Sequence, residues 1–329
     1  MVTNPIFIVG CPRSGTSLLR DLLRSHPNLT FPQESHFIPA LFRAYGDPRN
    51  EREAVKLAQA ILKTYWLKNW GLDLDPFCFS EYRSYTDIIC RLYEEWARKE
   101  GKTRWGDKTP QYVTEIPTLV QLFPSCKIIH VHRDGRDVAL SWIHTGWGPQ
   151  NVYIAARDWK YYVDAGRRAA ASLQPGAYLE VNYEQLLSFP EETMKHVCSF
   201  LDEPYCSDVL KPNFLERRQR LPILGNLTTW TISRTEIVGA NFNKWKKVMS
   251  RSDRVLFESV AGDLLEKLGY ETEKSVRSIS RAERLKWSTH HNFWYVLRRV
   301  NDRSQWRQML TGLLLRWADM LSGSDGRKR

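Results

Sequence analysis

The sequence lacks the patterns of several common protein classes. None of its 6 cysteines belongs to a C-x-x-C pair, which argues against a zinc site and a thiol redox site. No run of about eighteen apolar residues is present, so we expect no membrane-spanning helix. No secretory signal precedes the first apolar segment at Pro5. Together these absences predict a reduced, cytoplasmic protein.

The composition is that of a globular protein with an anionic partner. The 329 residues include 48 Lys and Arg against 37 Asp and Glu, a net charge of +11. This balance favours an anionic ligand, nucleic acid or an acidic surface. Nucleic acid is not expected, because the basic and aromatic strand pattern of an RNA-binding sheet is missing. The hydrophobic fraction of 42% allows a large core, in one α/β domain or in two smaller ones.

A stretch near the start has the pattern of a phosphate-binding loop. A run of apolar residues is followed by Gly10-x4-Gly15-x-Ser17 and then by leucines at helical spacing. A strand, a glycine-rich turn and a helix in this order place backbone N–H groups where they bind phosphate. In a P-loop, the lysine that reaches the β- and γ-phosphates would stand at Thr16. Its absence argues against ATP or GTP, and Arg13 supplies positive charge instead.

Predicted strands alternate with predicted helices along the chain. The strands are residues 6–9, 29–31, 102–106, 126–132 and 178–182, and helical spacing occurs in residues 54–65, 88–96, 114–122, 137–144 and 191–201. This alternation predicts an α/β fold with three layers, like that of P-loop NTPases, in which helices flank a parallel sheet of about five strands. Ligands of such sheets bind beyond the carboxyl ends of the strands, where polar clusters follow here.

Five motifs occur in a consistent order. They are Pro-Arg-Ser-Gly-Thr-Ser at residues 12–17, Gln33-Glu34 with Ile38-Pro39, Asp107-Lys108-Thr109-Pro110, Arg133-Asp134-Gly135-Arg136 with Ser141, and Tyr183-Glu184-Gln185-Leu186. With these motifs the sequence resembles sulfotransferases that use 3′-phosphoadenosine 5′-phosphosulfate (PAPS), and most closely their tyrosylprotein-sulfotransferase-like branch. The resemblance covers roughly residues 5–40 and 103–201, and it is weaker near residues 241–246.

The resemblance implies an enzyme that transfers the sulfuryl group of PAPS to an acceptor hydroxyl. Adenosine 3′,5′-bisphosphate is the by-product, and no metal is implied. Glu34 would be the general base, with Arg13 and Lys108 stabilising the transition state. The physical chemistry agrees, because in-line transfer of SO3 depends on positioning and on charge aimed at the leaving phosphate oxygen.

The same resemblance implies a set of donor-binding residues. Arg13, Ser14, Gly15, Thr16 and Ser17 would hold the 5′-phosphosulfate, Arg133 and Ser141 the 3′-phosphate, Tyr183 the sugar or adenine, and Lys244 would close over the 3′-phosphate from a late loop. The family also has a transition-state serine before this lysine, for which Ser233 is the nearest candidate.

The residues by themselves leave alternatives open. Glu34 also fits a solvated turn residue or a helix cap, His36 is a rival base, and Lys108 also fits a solvated loop lysine. Ser141 fits a serine that bonds back to its own helix. Two other classes of protein remain: a P-loop kinase or NTPase-like phosphotransferase that needs ATP and Mg²⁺, and a non-catalytic nucleotide-binding protein.

The sequence also suggests a division into parts. Residues 1–274 form the predicted sulfotransferase domain, in which residues 37–101 are a helical insertion that serves as a lid or acceptor-pocket wall. Residues 275–329 are a basic, Trp-rich helical extension with amphipathic spacing in residues 284–300 and 305–321. This extension packs on the core or on a second copy in a homodimer, or it lies on the inner surface of an anionic membrane. The acceptor is a peptide tyrosine, a glycan, a lipid or a small metabolite.

Overall fold

A parallel β-sheet forms the centre of the protein. The computed structural model describes residues 4–211, 242–273 and 276–301. In these ranges the sheet has five strands: β1 (Ile6–Gly10), β2 (Leu29–Thr30), β3 (Arg104–Lys108), β4 (Lys127–His132) and β5 (Tyr178–Asn182). Their order across the sheet is β2-β3-β1-β4-β5, and every neighbouring pair is parallel. The predicted α/β architecture is therefore confirmed.

Helices cover both faces of the sheet. In chain order they are α1 (Thr16–Arg24), α2 (Ile38–Tyr45), α3 (Glu51–Leu62), α4 (Tyr65–Lys68), α5 (Tyr85–Lys99), α6 (Ile116–Leu122), α7 (Gly135–Ile143), α8 (Val152–Ala170), α9 (Tyr183–Ser188), α10 (Pro190–Phe200), α11 (Trp245–Val248), α12 (Arg251–Lys267) and α13 (Arg281–Asn301). Short 3₁₀ helices occupy Pro76–Phe79, Pro110–Thr114 and Ser207–Leu210.

The alternation of side chains along β1 produces the three layers. Ile6 and Ile8 are buried against α1, α9 and α10, whereas Phe7 and Val9 are buried on the opposite face against the insertion and α6. Successive residues of a strand point to opposite faces, so a strand buried on both faces is apolar throughout. The carboxyl ends of the five strands consequently remain as the edge where polar side chains converge.

The structure differs from the prediction at β3. The strand begins at Arg104 and runs to Lys108, two residues later than predicted, and Lys108 pairs in register with Ile8 of β1. Asp107 and Lys108 are therefore strand residues, not loop residues as predicted. The polar character of Asp107 suggested a loop, but Tyr93 donates a hydrogen bond of 2.6 Å to its carboxylate inside the core. A buried carboxylate that has a hydrogen-bond donor can occupy a strand.

The helix α13 packs against the start of α8. Asn151 Nδ2 donates a hydrogen bond of 2.9 Å to the carbonyl of Trp287, while Leu285, Phe293 and Val296 are exposed on the outer side. None of the helices in the described ranges is long and apolar enough to cross a membrane. The predicted helix of residues 305–321 and the candidate Ser233 lie outside the described residues. The domain boundaries, the homodimer, the membrane contact and the cytoplasmic location stay predictions.

Candidate active site

The loop between β1 and α1 forms a cradle of backbone groups. Gly15 has a left-handed backbone (φ +98°) and precedes α1 without any side-chain cap of that helix. A Cβ at Gly10 would lie 2.3 Å from the carbonyl oxygen of Val131, so the loop needs glycine there. The first N–H groups of a helix have no partner within it and carry a partial positive charge. Thr16 and Ser17 contribute such groups, so the loop suits a phosphate.

Arg13 and Ser14 add side-chain donors to the cradle. Arg13 has a left-handed backbone (φ +74°), and its Nε donates a hydrogen bond of 3.0 Å to Ser141 Oγ on α7. Ser14 Oγ is fully buried and has no hydrogen-bond partner in the described ranges. Because buried hydroxyls are normally paired, an orphaned one in a phosphate loop fits a ligand oxygen. The predicted binders Arg13 and Ser141 are thus direct neighbours.

Arg133 and Tyr183 form the wall next to the cradle. The Arg133 guanidinium lies 4.6 Å from the centre of the Tyr183 ring, and its NH2 is 3.5 Å from Asp137 Oδ2. The Tyr183 ring packs directly over Gly15, where an added Cβ would approach within 2.1 Å of Cδ2. The structure therefore brings together the loop and two predicted nucleotide-binding side chains from the ends of β4 and β5.

Lys244 lies at the same end of the molecule, where its neighbour Trp245 is hydrogen-bonded to α7. Trp245 N donates a hydrogen bond of 2.9 Å to Asp137 Oδ1, the carboxylate that also pairs with Arg133. Lys244 itself is exposed immediately before α11. The late segment is consequently anchored beside the Arg133 side chain, and the contact of Lys244 with a 3′-phosphate stays a prediction.

Glu34 and Lys108 form an ion pair at the carboxyl ends of β2 and β3. Lys108 Nζ contacts Glu34 Oε1, and Glu34 Oε2 lies 2.8 Å from His36 Nε2. The Lys108 side chain is 2% exposed and that of Glu34 is 34% exposed. Burial alone would raise the pKa of Glu34, but Lys108 and His36 outweigh it and hold that pKa well below its ordinary value. Burial lowers the pKa of Lys108, although Glu34 opposes that change.

Three side chains that are distant in the sequence fix the turn that carries Glu34. Ser35 N donates to Thr109 Oγ1 (3.1 Å), and Ile38 N donates to the Tyr112 hydroxyl (3.0 Å). Trp70 Nε1 from the insertion donates to the carbonyl of Gln33 (3.1 Å). Thr109 lies in a recognised motif, but nothing local in the sequence marked Tyr112 or Trp70, because their partners lie far away in the chain.

The Arg-Asp-Gly-Arg motif contains one residue that faces the core. Arg136 is fully buried and donates to Asp134 through Nε and NH2 (3.0 and 2.8 Å) and to Glu258 Oε1 through NH1 (2.8 Å). Its guanidinium also lies 3.5 Å from the centre of the Trp245 ring. Arg136 therefore holds the architecture, and Arg133 is the arginine of this motif that faces the cradle. The described ranges contain no group of three or more His, Cys, Asp or Glu arranged to hold a metal ion.

The chain is similar in sequence to known proteins. The chain is 28% identical over 225 residues to a protein-tyrosine sulfotransferase of Drosophila melanogaster, which covers 66% of this chain and 42% of that protein. It is also 28% identical over 215 residues to protein-tyrosine sulfotransferase A of Caenorhabditis elegans, with 63% of this chain and 52% of that protein covered. The matched part is therefore about half the length of these two relatives.

Solved structures share the fold. The sulfotransferase domain from the Synechococcus PCC 7002 olefin synthase superposes with a TM-score of 0.56 at 22% identity, covering 82% of this chain and 96% of that one. The sulfotransferase domain from the curacin biosynthetic pathway gives 0.55 at 20% identity, covering 82% and 99%. The model of the sulfotransferase family matches residues 5–207, which is more than half of the chain. The protein is a member of the sulfotransferase family.

Proposed function

We propose that the protein transfers the sulfuryl group of PAPS to an acceptor hydroxyl, with Glu34 as general base. The observation that carries this proposal is the buried Lys108 paired with Glu34 beside a phosphate loop that has threonine in place of lysine. A loop without the P-loop lysine suits a donor that has no γ-phosphate. Arg133 and Lys244 would then bind a second phosphate on the ribose.

The roles of the side chains follow from where charge develops. The acceptor oxygen forms a bond to sulfur while the bond from sulfur to the 5′-phosphate oxygen breaks, and that oxygen keeps the electron pair. Arg13 and Lys108 neutralise this charge, and a cation in a site shielded from water, such as the 2% exposed Lys108, does so more effectively than one in solution. The acceptor proton moves to the Glu34 carboxylate, which contributes about 10²–10⁴-fold to the rate.

The ion pair also makes the basicity of Glu34 depend on whether the donor is bound. While Lys108 contacts Glu34, the pKa of Glu34 is depressed and the carboxylate is a weak base. When Lys108 turns to the leaving phosphate, the main charge that lowers this pKa is removed, and burial raises it. We therefore expect the acceptor to lose its proton only in the donor-bound enzyme.

Transfer from labelled PAPS tests the proposal. We expect Glu34→Gln and Lys108→Ala to lower the transfer rate by about 10²–10⁴-fold. Glu191→Gln and Lys160→Ala, which remove the same kinds of side chain from surface ion pairs, serve as matched controls and should transfer normally. Normal transfer by Glu34→Gln would contradict the proposal that Glu34 is the general base, and normal transfer by Lys108→Ala would contradict the role given to Lys108. A tyrosine-containing peptide is the first acceptor to test, because the relatives are named protein-tyrosine sulfotransferases.

Calorimetry and turnover test the two alternatives, a phosphotransferase that uses ATP and a non-catalytic nucleotide-binding protein. Binding of adenosine 3′,5′-bisphosphate without Mg²⁺, together with weak binding of ADP and Mg²⁺, supports the sulfotransferase and excludes a phosphotransferase that uses ATP. Turnover of PAPS excludes a non-catalytic nucleotide-binding protein.

A further inference from the structure

The imidazole of His36 lies directly against the proposed general base. Its Nε2 is 2.8 Å from Glu34 Oε2, while Lys108 contacts Oε1. Both carboxylate oxygens are thus engaged, each by a different side chain. Lys108 has a role toward the donor, but His36 has none in the mechanism described above. Its contact with Glu34 therefore needs a separate explanation.

The backbone at His36 is held in an uncommon conformation. Its φ of +55° lies in the left-handed region, which residues with a Cβ adopt only rarely. Bonds from Ser35 N to Thr109 and from Ile38 N to Tyr112 fix the chain on both sides of it. Such conformations persist where the surroundings determine them, and they cluster at functional sites. Here the conformation accompanies a ring that bonds to a side chain two residues earlier.

The insertion holds the other side of the imidazole. The centre of the Trp66 ring on α4 lies 4.3 Å from that of His36, with the planes tilted by 40°. The imidazole is thus enclosed between an aromatic ring and a carboxylate. The charged groups near the imidazole are Glu34, Lys108 on the other carboxylate oxygen, and the buried Asp107. Burial raises the pKa of Asp107, and His36 opposes part of that rise.

We propose that His36 is a positioning residue that fixes Glu34 Oε2, so that Oε1 receives the acceptor proton when Lys108 turns to the donor. This inference rests on the proposed function. The Glu34 side chain is 34% exposed and has three rotatable bonds, so without His36 it would lose its last side-chain partner at the moment of proton transfer. Misplacement of a catalytic group by about 1 Å can cost about 10²-fold in rate.

Two substitutions at His36 test this role. We expect His36→Leu to lower kcat by about 10–100-fold, with the Kd of adenosine 3′,5′-bisphosphate and the KM of PAPS unchanged. His36→Gln keeps an N–H donor for Glu34 Oε2 and should recover most of the loss in kcat. His196→Leu on α10 is the matched control, because His196 is exposed, and its kcat should be normal.

A second measurement separates positioning from a purely structural role. If His36 acts through Glu34, His36→Leu should not reduce kcat further in the Glu34→Gln background, because the residues act as a unit. A normal kcat for His36→Leu, or equal losses in both backgrounds, overturns the inference while leaving the proposed function intact. Absence of transfer by the wild-type protein, or normal transfer by Glu34→Gln, instead overturns the proposed function itself.

Discussion

At the residue scale, Gly15 determines the shape of the donor cradle. Its left-handed φ of +98° lets the chain enter α1, and its missing side chain leaves room for the Tyr183 ring. The ring in turn supports the Arg133 guanidinium. A side chain at Gly15 would therefore disturb the phosphate loop and the neighbouring nucleotide wall together.

We expect Gly15→Ala to abolish donor binding. The added Cβ would lie 2.1 Å from Tyr183 Cδ2, so the ring must move away. The matched control is Gly101→Ala, where φ is also positive (+67°) but nothing lies within 4 Å. In the control, left-handed strain should lower the free energy of unfolding by about 1–2 kcal/mol, and donor binding should be normal. Calorimetry with adenosine 3′,5′-bisphosphate measures the difference, and equal Kd values for the two variants would contradict the prediction.

The pairing of Glu34 with Lys108 shows which features of the site the motifs predict and which they do not. The motifs indicated both residues as catalytic, and the structure brings them into contact although 74 positions separate them. Burial would raise the pKa of Glu34, but Lys108 and His36 outweigh it and depress that pKa, whereas burial lowers the pKa of Lys108. Neither effect has a local sequence signal. The catalytic roles of the two residues stay predictions until the variants are measured.

At the element scale, Arg136 joins three helices. It lies in the first turn of α7, bonds to Glu258 of α12 and packs on Trp245 of α11. Asp134 is the second carboxylate that pairs with Arg136. The side chains of Arg136 and Glu258 are both 0% exposed. A buried charge set of this kind stabilises the fold only while it is complete, because each remaining ion would be stranded away from water.

We expect Arg136→Ala to lower the free energy of unfolding by about 3–5 kcal/mol, because Glu258 would remain buried without its cation. Arg157→Ala is the control, since Arg157 pairs with its neighbour Asp158 at the surface and its side chain is 53% exposed. Its effect should stay within about 1 kcal/mol. Urea unfolding followed by circular dichroism gives both values, and similar losses for the two variants would refute the structural role of Arg136.

The helices α8 and α12 are absent from the sequence prediction for physical reasons. On α12 the buried Glu258 interrupts the apolar face, because its charge is balanced by an arginine distant in the chain. On α8 aromatic residues lie on both sides, with Trp159 fully buried and Tyr161 57% exposed. Periodicity identifies a helix when polarity and burial agree, and in these two helices they disagree.

At the scale of the whole molecule, two histidines of β4 make stability depend on pH. Burial, followed by the neighbouring His132 and Arg167, lowers the pKa of His130 to about 3. Burial and Arg167 lower the pKa of His132 to about 4. The ordinary value is 6.5, so between about pH 6.5 and 4 the unfolded chain binds protons that the folded protein does not. Stability therefore falls as the pH falls through this range.

The free energy of unfolding should decrease by about 2 kcal/mol for each of the two histidines between pH 7.5 and pH 5. His132→Gln removes one titrating group, so its decrease should be smaller than that of the wild type by about 2 kcal/mol. Urea titrations at both pH values measure these differences, and equal pH dependence in wild type and His132→Gln would contradict the assignment.

The sequence by itself determined the five strands, their alternation with helices and the phosphate loop, because these depend on residues that are close together in the chain. The periodicity of the strands and the glycines of the loop are sufficient for both. Only the tertiary structure decided that Lys108 belongs to a strand and contacts Glu34, and that His36 lies against that carboxylate under Trp66. These contacts depend on β2 and β3 being neighbours in the sheet and on the insertion folding over them. Such long-range packing leaves no periodic signal in the sequence.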